Sequence, residues 1–199
     1  MSPRLRKQIF IFVILLAVAP WRTNAQENKP SRNNIKVTML SLGSGSSRFT
    51  FEHAITPRNS FEYTLGVVGW GWDWMNHSDP NGILMKIANK WTLIPQKGAN
   101  SWIAGLYVKP EFVFADYEYT NQQTDSPEYG LRQHTTQGAL LAEAGYQWVL
   151  WGWFDFDIYV GAGVSLGTGN ANNYYHSFML FPTDSHLAFT AGYRIGFAF

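Results

Sequence analysis

Several groups of side chains in this sequence are of types that do chemistry. His176 and Ser177 are adjacent, and acyl transfer needs a serine nucleophile, a histidine to take its proton and a carboxylate to orient that histidine. Neighbours on a regular strand point to opposite faces, and the His-x-Ser-Asn arrangement of lipid deacylases is missing. Asp184 and His186 have the spacing that puts both on one strand face, where such a pair could activate water; their context reads instead as a solvated loop entering the last strand. Asp73, His77 and Asp79 fit no zinc or calcium spacing and fall in a loop-like stretch of Asn, Asp and Pro. Gly167-Thr168-Gly169-Asn170 carries no lysine and does not follow the phosphate-loop pattern. His53 and His134 stand apart and read as ordinary hydrogen-bonded histidines. The expectation is a protein without a catalytic, cofactor-binding or metal site.

Composition narrows the field. Aromatics make up 17% of the 199 residues, charged residues 15%, and cysteine is absent. So many Phe, Tyr and Trp side chains argue against disorder. The lack of cysteine excludes disulfide scaffolds, thiolate metal sites, cysteine nucleophiles and a lipoprotein anchor. Residues 1–25 read as a cleaved secretory signal: a basic start, an apolar run from Ile9 to Ala19, Pro20, and a small-residue cleavage site at Thr23-Asn24-Ala25. The run is well short of the roughly 20 apolar residues a spanning helix needs. Without Arg4, Arg6, Lys7 and Arg22 of that leader, 11 basic residues face 14 acidic ones, a net charge of −3. Nucleic-acid binding loses its electrostatic footprint. Residues 26–34, polar and containing Pro30, are expected to form a flexible lead-in.

The elements that must position everything else are strands. Leu187, Phe189, Ala191, Tyr193, Ile195, Phe197 and Phe199 are apolar or aromatic, and the residues between them are small or charged. A strand sorts these two sets onto two faces, whereas a helix scatters them. The pattern recurs along the chain and predicts eight strands near 35–42, 47–55, 60–74, 82–95, 101–119, 133–150, 153–167 and 186–199. Several exceed the usual strand length of soluble proteins. The connections alternate, short at 56–59, 96–100 and 151–152, longer at 75–81, 120–132 and 168–185. An even count with alternating short turns and long loops is the arrangement of an antiparallel up-and-down transmembrane β-barrel over residues 35–199, with the short turns periplasmic.

The small and charged face is assigned to the interior. Glycine on a solvated outer face would weaken strands for no return, whereas Gly105, Gly145, Gly161, Gly163, Gly192 and Gly196 beside Tyr107 and Tyr159 suit a narrow, filled lumen. Lys36, Arg48, Lys86, Lys90, Lys109 and Arg194 share that face with Glu52, Glu62, Glu111, Glu143, Asp155 and Asp157, six of each sign. In an eight-stranded barrel such groups persist only as pairs, which predicts a neutral plug rather than an ion-selective pore. Trp91, Trp102, Trp148, Trp151 and Trp153 cluster near the short turns, and Trp70, Trp72 and Trp74 near a longer loop, as interfacial girdles would.

The last strand, with Tyr193, Ile195, Phe197 and the terminal Phe199, resembles the C-terminal recognition strand of Gram-negative outer-membrane proteins, which implies delivery by the barrel-assembly machinery; Arg194 replaces the glycine often found there. The segments Asn34-Ile35-Lys36-Val37, Leu40-Ser41-Leu42-Gly43, Phe51-Glu52-His53-Ala54-Ile55, Gly105-Leu106-Tyr107-Val108-Lys109-Pro110 and Gly145-Tyr146-Gln147-Trp148 resemble an uncharacterised outer-membrane barrel family of the Bacteroidota. That likeness implies a small OmpA-like or OmpX-like barrel integral to the outer membrane. It would contact outer-membrane lipid and lipopolysaccharide, and act as a structural or interaction protein, such as an accessory subunit beside another outer-membrane protein. Tyr119, Tyr129 and Arg132 in one external loop, and Tyr174, Tyr175, Phe178 and Phe181 in another, are the expected contact residues. The alternatives are packing of those aromatics against one another and an enzyme acting on lipid A or other outer-leaflet lipid.

Overall fold

The computed structural model describes residues 29–72, 79–122, 124, 127–167 and 187–199. The leader, Asp73, Trp74, His77 and the whole of 168–186 therefore lie outside the described residues. Eight strands and one helical turn follow in order: β1 (Asn33–Thr38), α1 (Met39–Gly43), β2 (Ser46–Thr56), β3 (Asn59–Val68), β4 (Asn81–Pro95), β5 (Gly105–Thr120), β6 (Arg132–Leu150), β7 (Phe154–Gly167) and β8 (Leu187–Ala198). Each strand pairs antiparallel with the next, and β8 returns to β1 to close the barrel. Closure gives every strand a partner on each side, and an even strand number brings Asn33 and Phe199 to the same end, where the Phe199 amide donates to the Asn33 carbonyl at 2.9 Å.

The chain departs from simple alternation at its two rims. A strand was expected through residue 42, but β1 ends at Thr38 and Met39–Gly43 turns into a helix. Its fold-back is tied down by the Trp72 amide donating to the Leu42 carbonyl and by Gly69 donating to Gly45, both at 2.7 Å. Those bonds also end β3 at Val68 instead of near 74. At the opposite end, the segment expected to open β5 at residue 101 is not strand. Ile103 and Ala104 are both buried, which consecutive residues of a strand facing lipid cannot be. Gly105, at φ +135°, re-aims the chain into β5, and a Cβ there would lie 2.2 Å from the Ile94 carbonyl oxygen. The lead-in is partly ordered too. Asn33 and Asn34 belong to β1, and Ser31 exchanges backbone bonds with Asn100 (2.9 Å) and Trp102 (3.0 Å).

Burial runs opposite to that of a soluble protein. Leu65, Ile83, Ile87, Phe112, Leu140, Ile158, Val160, Val164 and Leu187 are exposed, while the charged face is enclosed. The inner wall has layers. Ile103, Ala104, Ala54, Val149 and Ala198 form an apolar cap at the short-turn end. Leu84, Val113, Tyr117, Tyr119 and Leu141 form a second apolar layer towards the long loops. Charges fill the space between. Packing there is tight enough to fix residue size: a Cβ on Gly145 would lie 2.5 Å from both the Ile158 carbonyl oxygen and the Tyr107 hydroxyl. Gly145→Ala is therefore expected to cost about 1–3 kcal/mol, read as a lowered urea midpoint of the refolded protein. An unchanged midpoint would show that the Tyr107 ring does not rest on this strand.

Candidate functional site

Because every other residue of a strand points inwards, each of the eight strands delivers at least one ionisable side chain to the interior. All twelve charged residues assigned to that face by alternation are buried, the most exposed being Arg48 and Lys86 at 6%. Their pairing is extensive. Glu62 of β3 is the hub: one carboxylate oxygen lies 2.5 Å from the Lys36 ammonium, the other 2.5 Å from Lys109 and 3.1 Å from Arg194. Lys36 also reaches Glu52 at 2.8 Å and Asp157 at 3.2 Å. Lys109 reaches Glu111 at 3.0 Å and Glu143 at 3.1 Å, and Glu111 accepts from Lys86 at 2.5 Å. Lys90 pairs with Glu52 and Gln147 and donates to the Ile103 carbonyl at 2.9 Å. Asp155 accepts from the Asn34 amide. Arg48 sits further towards the loop end, beside Tyr159 and Thr190.

Uncharged groups orient this network. The Tyr107 hydroxyl donates to Asp157 at 2.8 Å and accepts from Arg194 at 3.1 Å, and Ser60 donates to Glu52 at 2.7 Å. The Arg194 guanidinium lies 4.7 Å from the Tyr159 ring centroid and Lys90 lies 4.8 Å from that of Tyr107, within cation–π range. Alternation alone marks these tyrosines as inward-facing but not as hydrogen-bond partners. Tyr107→Phe should cost about 1–3 kcal/mol, since it leaves Asp157 and Arg194 each one bond short in a buried setting. A thermal melt of the purified barrel checks it, and a loss of only a few tenths would mean water reaches the pair.

Among the described residues, six basic and six acidic side chains fill the interior, cross-linked by these contacts, and the apolar cap lies beneath Lys90 at the short-turn end. Among the described residues no group of three or more His, Asp or Glu side chains could hold a metal ion.

The residues expected in the external loops divide. Tyr129 is exposed. Arg132 opens β6, donating to the Asp79 carbonyl at 2.6 Å and lying 3.4 Å from the Glu118 carboxylate. Tyr119 is not a loop residue: it belongs to β5, is 3% exposed, packs on Tyr117 and donates to Gln133 at 2.6 Å. β5 runs to Thr120, one residue further than expected, and its odd-numbered positions face inwards. Tyr174, Tyr175, Phe178 and Phe181 lie outside the described residues, as do His176, Ser177, Asp184 and His186. His134 contacts Asp116 at 2.9 Å and His53 contacts Asn33 at 2.7 Å, both on the exterior.

On the terminal strand, Tyr193, Ile195, Phe197 and Phe199 form an outward row, with Phe197 stacked on Trp153 at 5.5 Å between centroids and Tyr193 6.3 Å from Phe156. Trp91, Trp102, Trp148, Trp151 and Trp153 ring the short-turn end, Trp151 being 75% exposed, and Trp70 and Trp72 stand at the other.

Together these features define a closed, eight-stranded antiparallel β-barrel with a filled, ion-paired interior. No family model matches the chain, so the likeness to a Bacteroidota barrel family has no counterpart there, and no curated protein matches it. Among solved structures, the N-terminal β-barrel domain of Pseudomonas aeruginosa OprF is similar at 13% identity and a TM-score of 0.47, covering 86% of this chain and 98% of that one.

Proposed function

We propose that this chain is an integral barrel of a Gram-negative outer membrane, with a sealed interior, acting as a structural or interaction protein through its loop end. The observation that carries this is the inversion of polarity: paired charges inside and a continuous apolar surface outside. On β5 the outward residues from Leu106 to Phe114 carry no charge, and Asp116 and Glu118 follow at the loop end. That stretch matches the roughly 9–11 residues a tilted strand needs to cross a bilayer. Exposed tryptophans at both ends fit the two interfaces. A water-soluble barrel would leave this band in contact with solvent at a large hydrophobic cost.

Brominated lipids in reconstituted vesicles test the orientation. Quenching of the tryptophan fluorescence is expected, and its absence in a folded sample would remove the membrane assignment. For the role itself, gentle detergent extraction from the native membrane should bring down a stoichiometric outer-membrane partner, making the chain an accessory subunit. Unaltered lipid A masses in His176→Ala, Ser177→Ala, Asp184→Asn and His186→Ala variants are expected as well, and a change in any of them would favour an enzyme acting on outer-leaflet lipid.

A further inference from the structure

We propose that the short-turn end of the barrel is a docking surface for anionic phospholipid headgroups, an inference that rests on the membrane assignment above. Four basic side chains lie outside the lumen at this end: Lys29 and Arg32 in the lead-in, Arg58 in the β2–β3 turn and Lys97 in the β4–β5 connection. All four are exposed, and none forms a salt bridge with another described residue. Among the described residues this end has no acidic side chain, and against the four cations stands the terminal carboxylate of Phe199. The loop end carries the opposite sign. Asp79, Asp116, Glu118 and Glu128 face outwards there, and Arg132 is already engaged by Glu118 and the Asp79 carbonyl. A phosphate is thus drawn to one end of the molecule and turned away from the other.

Tryptophans set the depth of these cations. Asn59, next to Arg58, pairs across the sheet with the exposed Trp91, and the Arg32 guanidinium lies 3.8 Å from the Trp102 ring centroid. Interfacial tryptophans mark the headgroup level, so both guanidiniums meet phosphates rather than acyl chains. Stacking occupies the face of the Arg32 group and leaves its edge N–H donors for phosphate oxygens. Lys29 and Lys97, on flexible stems, add charge without a fixed geometry. Selection therefore follows the sign of the headgroup, with anionic lipid favoured over zwitterionic lipid of the same acyl chains by about fivefold per basic residue engaged.

The test uses the full chain in vesicles of phosphatidylcholine with a minor fraction of phosphatidylglycerol, the acyl chains of one lipid or the other being brominated. In wild type, tryptophan quenching by brominated phosphatidylglycerol should correspond to about fivefold enrichment over its mole fraction. Salt at about 1 M, where the Debye length is about 3 Å, should return it to the mole fraction. Combined Lys29→Gln, Arg32→Gln, Arg58→Gln and Lys97→Gln should do the same at low salt, whereas Arg32→Lys with Arg58→Lys should keep the enrichment. Because Arg32→Gln also gives up the Trp102 stack, the triple variant that retains Arg32 is measured alongside and should lose most of it. Quenching at the mole fraction in wild type, or full enrichment in either folded neutralised variant or at high salt, overturns the proposal. Those results leave the membrane assignment standing, whereas a folded sample quenched by neither lipid removes that assignment itself.

Discussion

Glu62→Gln is expected to destabilise the barrel by about 3–5 kcal/mol, the cost of stripping one partner from a buried ion pair. Glu62 serves Lys36, Lys109 and Arg194 at once, so the variant keeps the side-chain volume but leaves a surplus positive charge among buried side chains. The desolvation of those cations is already committed on folding, and the remaining carboxylates are shared with other bases. Urea unfolding in vesicles measures the loss. Adding Lys109→Met restores neutrality and should recover part of it; a double variant worse than the single one would show that the hub acts through shape rather than charge.

Val160→Arg is expected to cost about 2–4 kcal/mol, the penalty for arginine on the lipid face near the bilayer midplane. Val160 is 63% exposed and central in β7. At a comparably exposed position on a water-soluble protein the same change would stay within about 0.5 kcal/mol. The two cases differ enough that folded yield and urea midpoint in vesicles decide between them, with Val160→Leu as the neutral control. A near-zero cost for Val160→Arg would place this surface in water.

The strands and their inward faces were legible because side-chain direction repeats every two residues, and a lumen that alternates charge with glycine cannot be exchanged for the outer face by any even shift. Lys36, Glu62, Lys109 and Arg194 could thus be assigned to one interior from the alternation alone. Which of them meet could not, since partners such as Lys36 and Asp157 are brought together only by barrel closure. The rims were read least well. Met39–Gly43 is a single helical turn, too short for its periodicity to be distinguished from that of a strand. Trp102 and Ala104 keep the parity of Leu106 and Val108, so alternation extended β5 through a segment that Gly105 in fact redirects. At Tyr119 a polar, aromatic stretch does not separate loop from strand, and its odd number, shared with the inward residues of β5, is the better guide.

The unequal seams also order the events of assembly. β5 and β6 share a long register from Gly105–Gln147 to Thr120–Arg132 and are joined directly through residues 121–131, whereas β1 and β8 share five rungs that join the two extremes of the chain. Loop-closure entropy adds about 2 kcal/mol to that last junction relative to the hairpin, with far fewer hydrogen bonds to offset it. The hairpin is expected to form first and the β1–β8 seam last, with opening beginning at that seam. Amide exchange in vesicles should show Lys36 and Ile195 opening before Val113 and Leu141.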